Sequence, residues 1–135
     1  MHLDGGCYCG ALRYRAEGNP VLKAQCHCRE CQYISGGGPN YFALMPKDGF
    51  RYTSGTPKQF TRSDLENPVT REFCPDCGTH IITRLNGRDQ VVLKVGTLDD
   101  PSWFAAPRIA IYAVDLQPFH VIPENLPVFE RLPQR

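Results

Sequence analysis

Charge imbalance is what this sequence has least of. Its 135 residues carry a formal net charge of +1, and its Lys and Arg stand singly rather than in runs. Electrostatic nucleic-acid binding normally shows as a strongly basic domain, so that class of partner is not expected. Long apolar runs are missing too: no stretch approaches the roughly 18 continuous apolar residues that a membrane helix needs. The first residues, Met1-His2-Leu3-Asp4-Gly5-Gly6, lack a charged leader followed by an apolar stretch, so a secretory signal is not expected and a cytoplasmic location is. Uninterrupted helical segments are also scarce. Twelve Gly and twelve Pro punctuate the chain so closely that few intervals could hold three helical turns. There is no internal repeat, low-complexity segment or linker.

What remains reads as strands joined by tight turns. Ala11 to Ala16 alternates apolar and polar side chains, the pattern of a half-buried strand. Val21 to Gln25 runs straight into Cys26, which places that cysteine at a strand end. Arg29 to Ile34 has room for one helical turn before Gly36-Gly37-Gly38-Pro39 stops it. Further strands are expected at Asn40–Met45, Phe50–Thr53, Lys58–Arg62, Val69–Phe73, His80–Leu85, Gln90–Val95 and Arg108–Val114. Asn86-Gly87 is a two-residue hairpin signal. Asp99-Asp100-Pro101 suits the acid-capped start of a short helix. Pro118 to Pro133 reads as an irregular tail. The expectation is one mainly β domain over residues 1–135.

Seven cysteines are the abundant feature, and they cluster as Cys7-x-Cys9, Cys26-x-Cys28-x-x-Cys31 and Cys74-x-x-Cys77. An odd count, tight spacing and no secretory leader argue against a disulfide framework, and neighbouring thiols in C-x-C bridge poorly. Zinc ligation accounts for them better than reversible thiol oxidation does. Cys9 and Cys77 are each followed by glycine, which permits a tight turn aiming backbone N–H groups at thiolates. Those two pairs therefore belong together as a closed four-thiolate site that staples the N-terminal strand to the hairpin near residue 75. Cys26, Cys28 and Cys31 lack that glycine. On a strand Cys26 and Cys28 share a face, and a turn returns Cys31 to it. Three ligands with a vacancy is the arrangement of catalytic zinc, unless His27, His80 or another group supplies a fourth. His27 points away from that face if the segment is extended, as a packing or supporting residue.

Four stretches, Gly6-Cys7-x-Cys9-Gly10, Cys26-His27-Cys28-x-x-Cys31, Arg71-x-Phe73-Cys74-x-x-Cys77-Gly78 and Gly96-Thr97-Leu98-Asp99-Asp100-Pro101, resemble the glutathione-dependent formaldehyde-activating enzyme family, which includes centromere-protein-V-like members. The resemblance spans nearly the whole chain in order. It implies a β-tent fold of mainly antiparallel strands with zinc-binding hairpins and short helical turns. It also implies a structural zinc on Cys7, Cys9, Cys74 and Cys77, and a catalytic zinc on Cys26, Cys28 and Cys31. The implied activity is that of a carbon–sulfur lyase joining glutathione and formaldehyde as S-hydroxymethylglutathione. The alternative is a zinc-ribbon-like binding module with two structural zincs. The sequence departs from the family's usual pattern at Gln32, where a basic residue commonly follows the third cysteine, and at Phe119, where tryptophan commonly follows proline. Arg29, Arg62, Arg71 and Lys58 read first as solvated surface charges and second as anchors for glutathione carboxylates.

Overall fold

A computed structural model describes residues 1–133; the last two positions of the expected 1–135 domain lie outside the described residues. Ten strands alternate with turns and one short helix. They are β1 His2–Gly6, β2 Arg13–Glu17, β3 Leu22–Cys26, β4 Asn40–Pro46, β5 Phe50–Ser54, β6 Lys58–Thr61, β7 Thr70–Phe73, β8 His80–Arg84, β9 Gln90–Lys94 and β10 Ile109–Ile111. The helix, α1, is Arg29–Ser35. β1, β2 and β5 form a three-stranded sheet, and the rest form a seven-stranded sheet in the order β10-β3-β4-β9-β8-β7-β6. All pairings are antiparallel except β10 with β3. The mainly β expectation holds.

The two sheets close on the larger core. Tyr14, Ala16 and Phe50 from the small sheet pack against Met45, Ile81, Ile82, Val91 and Leu93 from the large one. Tyr14 is 1% exposed yet polar at its tip, and its hydroxyl is satisfied by Thr97 Oγ1 at 2.8 Å. A second cluster of Ala24, Cys26, Cys31, Phe42 and Ile111 gathers where β3, β4 and β10 meet α1. There the sheet carries chemistry-bearing residues within its own packing.

Two elements differ from the sequence reading. The last strand ends at Ile111, three residues short of Val114, because Tyr112 takes φ 58° and ψ 41° and a 3₁₀ turn follows at Ala113–Asp115. A left-handed residue cannot continue a ladder. At Asn86-Gly87 the tight turn is present, with Arg88 N–H donating to Leu85 O at 3.3 Å and Gly87 at φ 71°. Strand pairing resumes only at Arg84–Val91, however, so the connection is longer than a two-residue hairpin. Asp89 O is used elsewhere, accepting from Lys47 N–H at 2.7 Å.

Candidate metal centres and the adjoining cleft

Two sets of sulfur atoms converge. Cys7, Cys9, Cys74 and Cys77 form one set and Cys26, Cys28 and Cys31 the other, each with all its sulfurs within 4.8 Å of one another. Chain turns separated by half the sequence build the first set. Cys7 and Cys9 follow β1, while Cys74 and Cys77 sit in the β7–β8 connection. Gly10 at φ 84° and Gly78 at φ 80° turn the chain behind each pair, a conformation open to glycine at no steric cost. Tyr8 N–H reaches Thr79 Oγ1 at 3.1 Å and ties one turn to the other.

The spacing fits a tetrahedral ion. Four thiolates about 2.3 Å from a common centre would lie ~3.8 Å apart. Cys7 and Cys9 are 3.6 Å apart, and Cys9 and Cys74 are 3.7 Å apart. Backbone N–H groups point at the sulfurs, as anticipated from the flanking glycines. Leu12 donates to Cys7 at 3.2 Å, and Asp76 and Cys77 donate to Cys74 at 3.4 Å. The Thr79 hydroxyl, then its N–H, draws Cys77 down to about 5.

The second set is built by the start of α1. Cys26 ends β3, held between Asn40 of β4 and Ile111 of β10. Cys28 is the helix N-cap, extended at φ −61° and ψ 155°, and its sulfur accepts from Cys31 N–H at 3.2 Å. The turn carries Cys31 back beside Cys28, with their sulfurs 3.1 Å apart. Gly36 at φ 86° then closes the helix, as the glycine run implied. All seven cysteines are unbridged. Three sulfurs this close cannot all ionise alone. Hydrogen bonds from Cys26 and Cys31 hold Cys28 down at about 2, while Cys26 is pushed up by its neighbours and Cys31 is raised to about 12. A cation would complete such a donor set and let every sulfur lose its proton.

His27 lies outside this set, fully buried. Its ring sits between Gln25 Nε2 at 2.9 Å and His120 Nδ1 at 3.1 Å, and His120 Nε2 lies 2.7 Å from Gly37 O. This chain of contacts fastens the tail to α1. Gln32 does the same: it is 4% exposed and donates to His27 O at 2.8 Å and Asp115 O at 2.9 Å. The amide found where a basic residue is usual is therefore spent on internal links. Phe119 lies nearby on the exposed tail, in a shallow depression shared with Arg29 and Tyr33.

Beside Cys31 opens a cleft of about 660 Å³, within the usual size of small-molecule sites. Ile34, Tyr41, Val95, Pro101 and Phe104 make its walls largely apolar. His80 and Lys94 are its titratable side chains other than Cys31 and Tyr41. Ala105 on its rim holds φ 58° and ψ −76°, a strained backbone conformation for a residue with a Cβ. The four cations considered earlier do not line this cleft. Arg62 pairs with Asp64 at 2.6 Å in solvent, Lys58 is exposed on edge strand β6, and Arg29 bonds Gln32 and stacks on Tyr33. Arg71 corrects the reading of a solvated charge: its side chain is only 12% exposed and pairs with Glu30 at 3.2 Å. Sequence reasoning did not single out Lys94. On an alternating strand it would face solvent, yet both Leu93 and Lys94 are buried at the end of β9.

Fold and site together define a mainly β protein with two cysteine clusters fit for metal and a cleft against one of them. The chain belongs to the glutathione-dependent formaldehyde-activating enzyme family, whose model matches residues 2–115. A protein of Halomonas elongata described as "Putative glutathione-dependent formaldehyde-activating enzyme" is 31% identical over 87 residues, covering 58% of this chain. The match takes in 54% of that relative, so the chain spans about half the length of the curated protein. A crystal structure of a Rhodobacter sphaeroides protein superposes with a TM-score of 0.60 at 17% identity, over 79% of this chain and 97% of that one, which shows a shared fold.

Proposed function

We propose that the chain is a zinc-dependent carbon–sulfur lyase, one domain over 1–135, acting on a thiol–aldehyde adduct. Glutathione with formaldehyde, giving S-hydroxymethylglutathione, is the leading pair. The observation that carries this reading is the cleft: it opens against the three-thiol cluster and leaves the four-thiol cluster outside its walls. Cys26, Cys28 and Cys31 hold the working metal with a position free, and Cys7, Cys9, Cys74 and Cys77 hold a structural one. Zinc bound to the three thiolates supplies a Lewis acid that favours a substrate thiolate or a polarised carbonyl.

The remaining work falls to the chain. The apolar walls exclude water and strengthen every charge interaction inside. The tail, latched through His27, His120 and Gln32, fixes α1 and with it the positions of Cys28 and Cys31. A small adduct fits a cleft of this volume.

The test is zinc stoichiometry and formaldehyde exchange measured on the same sample. Exchange between glutathione and its hydroxymethyl adduct runs without an enzyme, so two-dimensional proton exchange spectroscopy must show acceleration above that background. Two zincs per chain with acceleration abolished in a folded Cys28→Ser variant support the lyase. Two zincs with no acceleration for any thiol and aldehyde pair support the binding module.

A further inference from the structure

Lys94 is a buried cation with almost nothing to hold. It is 9% exposed, and its ammonium offers three donors. Its hydrogen bond is a long one, to Thr83 Oγ1 at 3.4 Å. Among the described residues no carboxylate pairs with it within 4.0 Å. Burying a charge this way costs stability unless a partner arrives. The charged and titratable groups around it are the thiols of Cys31, Cys26 and Cys28, the Arg71 guanidinium and the His80 ring.

His80 shows the complementary deficit. Its Nδ1 is buried with no hydrogen-bond partner, alone in that respect among the buried side-chain nitrogens and oxygens of the described residues. Its ring stacks on Phe73 at 5.2 Å, and burial disfavours its protonation, so one of its two ring nitrogens is an acceptor. Lys94 and His80 both line the cleft that Cys31 enters. An ammonium with one long hydrogen bond and a neutral imidazole thus line one cavity. A hydroxyl group answers both at once, because its oxygen accepts and its proton is donated.

We propose that Lys94 and His80 are the catalytic residues that receive the hydroxyl of the adduct, Lys94 binding its oxygen and the His80 ring its proton. This deepens the lyase reading and rests on it. In the breakdown direction the O–H proton passes to His80, the carbon–sulfur bond breaks with its electron pair leaving on sulfur, and the carbon–oxygen double bond forms. Negative charge passes through the oxygen, where the Lys94 ammonium stabilises it. The proton then returns from His80 to the thiolate, releasing thiol and aldehyde and restoring the protein. Addition runs through the same steps in reverse. A bare sulfide without the hydroxyl would leave both groups unanswered.

The competing role for Lys94 is structural, as counter-ion to the three thiolates. Lys94→Met separates the two on the fully metal-loaded protein. A catalytic Lys94 predicts an exchange rate constant down about 10²- to 10³-fold at saturating glutathione and formaldehyde. It also predicts unchanged zinc content after a chelator challenge, and a melting temperature raised by a few degrees because an unpaired buried charge has gone. Lys94→Ala should regain activity saturably with added ethylammonium, which a structural role would not produce. His80→Phe, which keeps an aromatic ring against Phe73, should lose about 10²-fold. Zinc lost from Lys94→Met, a lowered melting temperature, or exchange at the wild-type rate would overturn the assignment while leaving the lyase reading standing. Wild-type protein with two zincs and no exchange would overturn the lyase reading and this assignment with it.

Discussion

Removing the four-thiol site should cost far more stability than removing the three-thiol site, and the difference follows from chain topology. Cys9 and Cys74 are 65 residues apart in sequence. Treated as a cross-link, closing a loop of that length removes ~14 cal/mol/K of chain entropy from the unfolded state, about 4 kcal/mol at 25 °C. Unfolding a chain of this size carries an entropy of ~280 cal/mol/K near its midpoint, so the loss corresponds to about 15 °C in melting temperature. Cys26, Cys28 and Cys31 sit within one short stretch and close no long loop. Cys74→Ser should therefore lower the melting temperature by about 15 °C, and Cys28→Ser by only a few degrees. The assay is thermal denaturation with zinc stoichiometry on each variant, repeated after chelation, when the wild type should approach Cys74→Ser. Equal losses for the two variants, or a Cys74→Ser protein that melts within a few degrees of wild type, would refute the reasoning.

Other expectations follow from single positions. Ala105→Gly should relieve the positive-φ strain on the cleft rim and raise stability by about 1 kcal/mol, read in a denaturant melt. Gly96 lines the cleft, and a Cβ there would meet nothing within 4 Å. Gly96→Leu should accordingly fill the cleft, leave the melting temperature unchanged and suppress glutathione turnover, measured by exchange spectroscopy. Glu72 is 2% exposed; burial opposes its charge, but hydrogen bonds from Arg84 at 2.6 Å, Gln59 and Tyr52 outweigh that and hold its carboxyl below the usual range. A depressed acid contributes stability above its unfolded value near pH 4 that is lost as pH falls through the lower folded one. Glu72→Gln should flatten stability against pH in that acid window. Arg84→Met, which strands the carboxylate, should cost about 3–5 kcal/mol at pH 7, both measured by urea unfolding.

Most of the strands were legible because turn residues bound them tightly and side chains alternate between them. β4, β5, β7 and β8 fall within a residue or two of their expected limits. The cysteine grouping was legible because Gly10 and Gly78 mark two matching turns, and both take the left-handed conformation that only glycine adopts freely. What stayed hidden depends on neighbours distant in sequence. Nothing local to Tyr112 signals its positive φ, which the tail imposes as Ala113 N–H bonds Phe129 O. Lys94 looks like the polar position of an alternating strand, and its burial arises from the way α1 and the 3₁₀ turn at Pro101–Phe104 wall the cleft. His80 enters the sequence reading as a possible fourth ligand of the three-thiol site, but its unpartnered nitrogen is visible only in three dimensions. Arg71 reads as a surface charge until its pairing with Glu30 at the start of α1 is seen.

X-ray absorption at the zinc edge, on protein with its metal content counted, tests the central claim most directly. Seven sulfurs shared over two four-coordinate zincs predict three and a half sulfur neighbours per zinc on average, near 2.3 Å, and half a light-atom neighbour. Added glutathione should replace that light neighbour with sulfur and bring the average to four. A single zinc per chain, or an average that glutathione leaves untouched with an imidazole signature in the light shell, would contradict an open position on the Cys26, Cys28 and Cys31 metal.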